Sequence, residues 1–327
     1  MPDDDHVLAR DLAEQAGRRL VELRAHGGDP DLLRKAGDRL SHEFLTAELA
    51  DRRPGDVVLS EEGADNPARL AARRVWIVDP LDGTREFGEP GRTDWAVHVA
   101  LWERGDAGGP GELRAGELRA GEFSPGEFSP GEFSPGELRA GELRAGAVAL
   151  PAQGTVLSTL APPPPPPPPQ RCDIEAVITA PMSHRVGPAG SGPGAGGDGG
   201  TDMTFGGGEG APGRIRIVVS RSRAPQLVRN ISDLIDAELV PLGSAGAKVA
   251  AVVGGEVDAY VHGGGFYEWD TAAPVAVARA AGFHASRIDG SPLAYNRADL
   301  LMPDILVCRP AVAGILLQAI REVTNAS

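Results

Sequence analysis

The stretch Val75-Trp76-Ile77-Val78-Asp79-Pro80-Leu81-Asp82-Gly83-Thr84 decides how this chain is read. Arg73 to Val78 is rich in β-branched and aromatic residues, the pattern of a buried strand, and Pro80 confines Asp79 to extended backbone angles. The strand is therefore expected to stop at Asp79. Gly83 permits a tight turn, and Thr84 to Phe87 can begin a helical turn whose free amides face an anion beside Asp82. Two carboxylates and a backbone carbonyl from one turn are hard oxygen donors of the kind magnesium prefers. Taken alone, the segment also reads as an ordinary Asp-Gly turn after a strand.

Upstream, Val57-Val58-Leu59-Ser60-Glu61-Glu62-Gly63 repeats the design, a short apolar strand that ends in adjacent carboxylates. Glu61 and Glu62 cannot both enter a core unpaired, and a solvated acidic strand end would equally account for them. Far downstream, Tyr267-Glu268-Trp269-Asp270-Thr271-Ala272-Ala273-Pro274 opens an alanine-rich helix with Asp270 at the expected N-cap. Capping alone explains that aspartate, although a carboxylate there is also well placed to complete a metal site.

Together Ser60-Glu61-Glu62, Asp79-Pro80-Leu81-Asp82-Gly83-Thr84 and Trp269-Asp270-x-Ala-Ala resemble the three signature motifs of the inositol monophosphatase superfamily of lithium-sensitive, magnesium-dependent phosphomonoesterases. The resemblance is closer still to the actinobacterial CysQ-type 3′(2′),5′-bisphosphate nucleotidase branch. Its support includes Arg85-Glu86-Phe87, Gly91-Arg92-Thr93-Asp94-Trp95-Ala96-Val97-His98, Ser220-Arg221-Ser222, Gly243-Ser244-Ala245-Gly246-Ala247-Lys248 and Pro292-Leu293-x-Tyr295-Asn296. The fold it implies is the layered sugar-phosphatase fold, α+β in the first half and α/β in the second.

Residue by residue, the resemblance implies that Glu61, Asp79, the Leu81 carbonyl, Asp82 and Asp270 bind two or three magnesium ions. Glu61 and Thr84 would orient the attacking water, with Asp82 part of the catalytic set, and the Gly83 and Thr84 amides would receive the scissile phosphate. Metal coordination and a helix start suit that division of labour. Where the superfamily has Thr-x-x-Asp, this chain reads Lys35-Ala36-Gly37-Asp38, so only Asp38 matches. It is assigned to a further metal position, with an N-cap for a helix from about Arg39 to Asp51 as the alternative.

Substrate contacts are expected at two strand ends, Ser220-Arg221 and Gly243-Ser244, where α/β proteins place ligands. Arg221 could pair with a phosphate and Lys248 could act as a compact cation, or both could be surface charges. Tyr295 could face an adenine or merely close a loop.

The chain has 327 residues and a formal net charge of −14, which argues against a nonspecific nucleic-acid surface. Its two cysteines, Cys172 and Cys308, provide no disulfide framework or Cys-rich zinc site. None of the seven histidines forms a His-Glu-x-x-His pair, and Ser191 and Ser244 lack a Gly-x-Ser-x-Gly elbow. His98 is expected to pack in or beside a strand, and Arg92 with Asp94 to pair locally. The acidic start Met1-Pro2-Asp3-Asp4-Asp5-His6 does not read as a secretory signal, and no apolar stretch reaches membrane length, so a cytoplasmic location is expected.

Val7 to Arg24 has helical apolar spacing, and strands are expected near 56 to 60, 73 to 79, 94 to 103, 147 to 151 and 154 to 158. After about residue 214 the order becomes strand, helix, strand, helix, strand, helix. The expected organisation is a metal-binding subdomain over 1–160, a Pro/Gly-rich linker over 161–213 and an α/β subdomain over 214–327. Within the first, Gly111 to Ala145 comprises seven tandem pentapeptides, Gly-Glu-Leu-Arg-Ala or Gly-Glu-Phe-Ser-Pro. A mobile hairpin loop over 105–146 is expected there, with a short β-solenoid as the alternative. Pro162 to Pro169 reads as a polyproline II rod of about 25 Å, with Ile174, Val177 and Ile178 able to add a strand beyond it.

The function implied is magnesium-dependent removal of the 3′-phosphate of adenosine 3′,5′-bisphosphate, yielding AMP and phosphate. Alternatives are an inositol-1-phosphate or fructose-1,6-bisphosphate phosphatase, or a phosphatase-fold scaffold that works through its inserts. The expected partner is a small phosphorylated nucleotide, with no nucleic acid and no membrane. A homodimer and a partner for the polyproline run stand beside it as alternatives.

Overall fold

A computed structural model describes residues 4–105, 141–164, 214–221 and 224–325. Helix α1 (Asp5–Ala25) begins at Asp4, whose carboxylate accepts the His6 amide. Helix α2 (Pro30–Arg52) starts where Asp29 caps the chain ahead of Pro30, a residue suited to a first helical turn. Asp38 therefore lies inside a helix, and the expected start near Arg39 is corrected: the Asp29-Pro30 signal comes first.

The first sheet has the order β1-β2-β3-β4-β5, from Val57–Ser60, Arg74–Asp82, Ala96–Glu103, Glu142–Leu150 and Thr155–Ser158. Strands β1 and β2 are parallel, and the other neighbours are antiparallel. Strand β2 does not stop at Asp79 but reaches Asp82 through a register shift, because an irregularity is where a sheet tolerates Pro80. The repeat insert is corrected at one end. Its last unit, Gly141-Glu142-Leu143-Arg144-Ala145, runs into β4, where Leu143 pairs with Trp102 and Arg144 approaches Glu103 at 3.5 Å. Apolar and charged residues alternate there in a way that suits a strand. The preceding repeats and the expected strand near Ile174 lie outside the described residues.

Alternation along β2 builds two cores at once. Trp76 and Val78 face α1 and α2, whereas Val75 and Ile77 face the other way, and all four are fully buried. Each such side chain contributes roughly 1.5–3 kcal/mol of transfer free energy.

The second half runs β6 (Arg216–Ser220), α4 (Gln226–Ile235), β7 (Glu238–Leu242), α5 (Ala245–Val253), β8 (Ala259–His262), β9 (Phe266–Tyr267) and α6 (Glu268–Ala280). It ends with β10 (His284–Ser286), β11 (Leu301–Met302), β12 (Ile305–Cys308) and α7 (Pro310–Asn325). Its sheet order is β10-β12-β8-β6-β7, parallel among β8, β6 and β7 and antiparallel at β12 and β10, while β11 and β9 form a two-stranded ribbon.

Helices α5 and α6 lie between the two sheets. Their alanines and valines share one core with Val75, Ile77 and Ala100 of the first sheet and with Val218, Tyr260 and Val307 of the second. The far face of the second sheet, including Ile217, Val261 and Leu306, packs on α4 and α7. The result is five layers, α-β-α-β-α, an α/β fold in which the middle helices carry residues of the second half onto the first sheet. Among the described residues no helix is long and apolar enough to cross a membrane.

Candidate metal and phosphate site

Three carboxylates converge where the bulged end of β2 meets the start of α6. Asp79, Asp82 and Asp270 each place one oxygen so that all three lie within 4.8 Å of one another. Asp79 is held by the turn it precedes, since its Oδ1 accepts the Leu81 amide at 3.0 Å. Asp270 is not the N-cap expected of it. It sits at the third helical position, with Tyr267 as cap, and its Oδ2 accepts the Tyr267 amide at 2.5 Å. Glu268 and Trp269 already belong to the helix, so the carboxylate reaches back in the manner of a capping box.

Asp82 has a different environment. The first turn of α5 aims its amides at this side chain, Ala245 at 3.2 Å and Gly246 at 2.6 Å. His98 adds its Nε2 at 3.1 Å, while its Nδ1 lies 3.1 Å from the Trp269 carbonyl. Gly246 is required there, because a Cβ at that position would collide with the His98 ring.

These surroundings set the charges. Burial, followed by the repulsion of Asp82, Glu61 and Asp270, pushes the Asp79 carboxyl well above its ordinary value. Burial and the charge of Asp82 raise Asp270 to about 6. Glu61 keeps contact with solvent, yet desolvation by the protein around its carboxyl, then the charge of Asp270, raises it to about 7. Burial alone would raise Asp82 too, but the charge and hydrogen bond of His98, the Gly246 amide and Lys248 outweigh it and hold this carboxyl low.

A group of hard, mutually repelling oxygen donors is chemically matched to a divalent cation, which removes the repulsion that raises their pKa values. Glu61, Asp79, Asp82 and Asp270 would hold such a cation. The Leu81 carbonyl accepts the Thr84 hydroxyl at 3.0 Å, and that hydroxyl lies 3.3 Å from Asp38. Asp38 thus stands on the Thr84 side of the site, raised to about 6 by desolvation and then by Glu62. Gly83 adopts φ +83°, a left-handed conformation in which glycine is favoured, and α3 (Thr84–Gly88) follows it.

The substrate contacts expected from the sequence are placed differently. Tyr295 is 6% exposed, with its hydroxyl 3.3 Å from that of Thr271, so its ring is part of the core and has no open face for a base. Its neighbour Asn296 is equally committed, to the Arg69 carbonyl and to Glu268. Lys248 is no surface charge: it is buried, and its Nζ donates to the Gly243 and Ser244 carbonyls. The Gly243 amide donates to Asp94 Oδ2 at 2.6 Å and the Ser244 amide to the Asp94 carbonyl, while the Ser244 hydroxyl caps α5. Arg221 pairs with Glu86 and Glu89 at 3.0 and 2.8 Å. Ser220, half-buried, ends β6 beside Leu242. Arg92 and Asp94 do form their local pair.

Two participants escaped sequence reading. The α5 amides carry no side-chain signal, whereas His98 carried one in its parity: Ala96, His98 and Ala100 share the strand face that looks toward α5 and α6.

A profile described as the inositol monophosphatase family matches residues 8–108 and 214–325. The chain is 42% identical over 321 residues, 98% of its length and 94% of the relative's, to a protein of Mycobacterium leprae named 3′-phosphoadenosine 5′-phosphate phosphatase. Among solved structures it resembles inositol monophosphatase II from Staphylococcus aureus, with a TM-score of 0.62 and 16% identity over 94% of this chain and 92% of that one. It also resembles CysQ from Bacteroides thetaiotaomicron, with a TM-score of 0.58 and 24% identity over 93% and 97% of the two chains. The carboxylates gathered at the end of β2 and the profile that spans both flanking segments lead to one conclusion: this chain belongs to the inositol monophosphatase family.

Proposed function

We propose that this chain is a magnesium-dependent 3′(2′),5′-bisphosphate nucleotidase that converts adenosine 3′,5′-bisphosphate to AMP and phosphate. The observation that carries the proposal is the 42% identity, sustained over 98% of the chain, to a relative named for that substrate. The proposal extends to the related sulfated nucleotide, which ties the reaction to sulfate assimilation, and to a cytoplasmic setting.

Two or three magnesium ions held by Glu61, Asp79, Asp82 and Asp270, with the Leu81 carbonyl and Asp38 at the margin, would supply Lewis-acid polarisation of the phosphoryl group. The protein's own groups do the rest. Glu61 follows the end of β1 and keeps contact with solvent, so its carboxylate is placed to orient a water and accept a proton from it. Thr84 is anchored through its hydroxyl to Leu81 and Asp38, which fixes the turn from which the Gly83 and Thr84 amides would receive the phosphate. Asp82, kept ionised by His98 and the start of α5, supplies a fixed negative charge.

Phosphate release from adenosine 3′,5′-bisphosphate, inositol-1-phosphate and fructose-1,6-bisphosphate, each with and without magnesium, tests the proposal. The expected result is magnesium-dependent preference for the nucleotide. Preference for either sugar phosphate would overturn the substrate, and turnover unaffected by chelation would overturn the metal.

A further inference from the structure

Tyr295 lies in the core, so a base bound near the carboxylates needs another aromatic surface. Among the described residues, the most exposed large apolar side chains are Val21, Leu32, Leu70, Leu160, Tyr267 and Leu301, and Tyr267 is the single aromatic among them. It is 44% exposed, whereas Trp76, Trp95, Trp102 and Trp269 are all at most 9% exposed.

Position makes that exposure informative. Tyr267 is the N-cap of α6, and its amide donates to the carboxylate of Asp270, one of the three clustered ligands. Its ring stacks on Trp269, with centroids 4.8 Å apart and planes 15° from parallel. One face is thus fixed by a buried indole, which holds the ring rigid before any ligand arrives and lowers the entropy cost of binding. The ribbon register pairs Tyr267 with Leu301, itself 46% exposed, and cross-strand partners sit side by side on one face. An aromatic ring flanked by an aliphatic side chain, next to a metal and phosphate site, is the surface a flat, weakly polar heterocycle seeks. Neither the inositol ring nor the fructose ring has a π-face to use it.

We infer that Tyr267, backed by Trp269 and flanked by Leu301, is the stacking platform for the purine of the bisphosphate substrate and thereby selects nucleotides over sugar phosphates. The inference rests on the nucleotidase proposal and deepens it by naming the residue that recognises the base.

The test compares wild type, Tyr267→Phe and Tyr267→Ala on adenosine 3′,5′-bisphosphate and on a base-free analogue, 1-O-methylribose 3,5-bisphosphate. For the nucleotide, Tyr267→Ala is expected to raise KM by about tenfold, within the span measured for one lost base stack, with little change in kcat. Tyr267→Phe, which keeps the ring, should restore the wild-type KM. On the base-free analogue all three proteins should perform alike, which shows that Asp270 has kept its place. A wild-type preference for the nucleotide that survives unchanged in Tyr267→Ala would overturn the platform while leaving the nucleotidase proposal standing. Equal loss on both substrates would also overturn it, because the residue would then serve Asp270 alone. A wild type that shows no preference for the nucleotide over the base-free analogue would overturn base recognition altogether, whereas failure of wild type on both bisphosphates would sink the underlying nucleotidase proposal.

Discussion

Asp79 and Asp82 leave the same bulged end of β2, three residues apart and both buried, yet the protein treats them in opposite ways. Burial, and then a crowd of like charges from Asp82, Glu61 and Asp270, drive the Asp79 carboxyl upward. The region around Asp82 is built to accept a negative charge, with two amides from the start of α5, the ring of His98 and the buried ammonium of Lys248. One carboxylate awaits a cation from outside, and the other already has much of its compensation from the fold. Clustered acidic residues therefore need not be equivalent ligands, and what distinguishes them is what the second half of the chain brings to each.

Exchanging each aspartate for asparagine tests that contrast most severely. Asp79→Asn and Asp82→Asn should both lower magnesium-dependent kcat/KM by more than about 100-fold, the upper end of what a mere supporting residue costs. Their stabilities should diverge. In metal-free protein Asp79→Asn relieves repulsion and should stabilise by about 1 kcal/mol in urea unfolding, the usual trade between activity and stability. Asp82→Asn weakens charge-assisted hydrogen bonds and should destabilise by about 2 kcal/mol. If both shifts had the same sign, the contrast between the two environments would be false.

A smaller effect should follow at His98, which touches Asp82 on one side and the Trp269 carbonyl on the other. His98→Gln is expected to weaken magnesium binding by calorimetry roughly 10–100-fold, as is usual for residues that orient ligands. Unchanged magnesium affinity would make His98 a packing residue.

The smallest predicted effect is a pH dependence of the metal-free protein. Glu61 rises from 4.5 to about 7 and Asp270 from 3.8 to about 6 on folding, so the folded state holds these protons more tightly than the unfolded chain. Their contribution is fully favourable below the unfolded values and is lost progressively as pH rises from about 4 through the folded values of about 6 and about 7. The thermal midpoint of the metal-free protein should fall across that window, and magnesium should flatten the fall by taking the place of the protons. A midpoint that rises there without metal would show that the carboxylates are compensated by something else.

Much of the fold was legible because alternation along a strand is a local property. Arg73 to Val78 declared a buried strand, and the structure buries both of its faces. The spacing from Val7 to Arg24 similarly declared α1, which the structure extends to Asp5–Ala25. Local signals misled where two of them competed. Asp29-Pro30 started α2 ahead of Asp38, Pro80 was absorbed by a bulge, and the last pentapeptide supplied alternation enough to join β4.

Chemistry that depends on residue type was legible too. Asp270 is far in sequence from Asp79 and Asp82 and shares no local contact pattern with them, but hard oxygen donors at strand and helix ends already imply a cation. Burial of single residues outside the strands was not legible. Tyr295 and Tyr267 are both aromatic residues near loops, and only the tertiary packing, which sets Tyr295 against Thr271 and pairs Tyr267 with the exposed Leu301, leaves one sealed in the core and the other exposed. Lys248 was likewise readable as a cation but not as one turned inward onto two carbonyls.

By itself, then, the sequence determined the main order of elements, the buried strand ahead of Asp79 and the acidic chemistry at its end, because each follows from side-chain type and short-range periodicity. Tertiary structure alone decided which carboxylate is compensated and which tyrosine meets solvent. Those outcomes depend on desolvation and on dipoles and charges delivered from the α5–α6 layer, and no short-range pattern encodes the distance between segments more than 160 residues apart, such as Asp82 and the Gly246 amide.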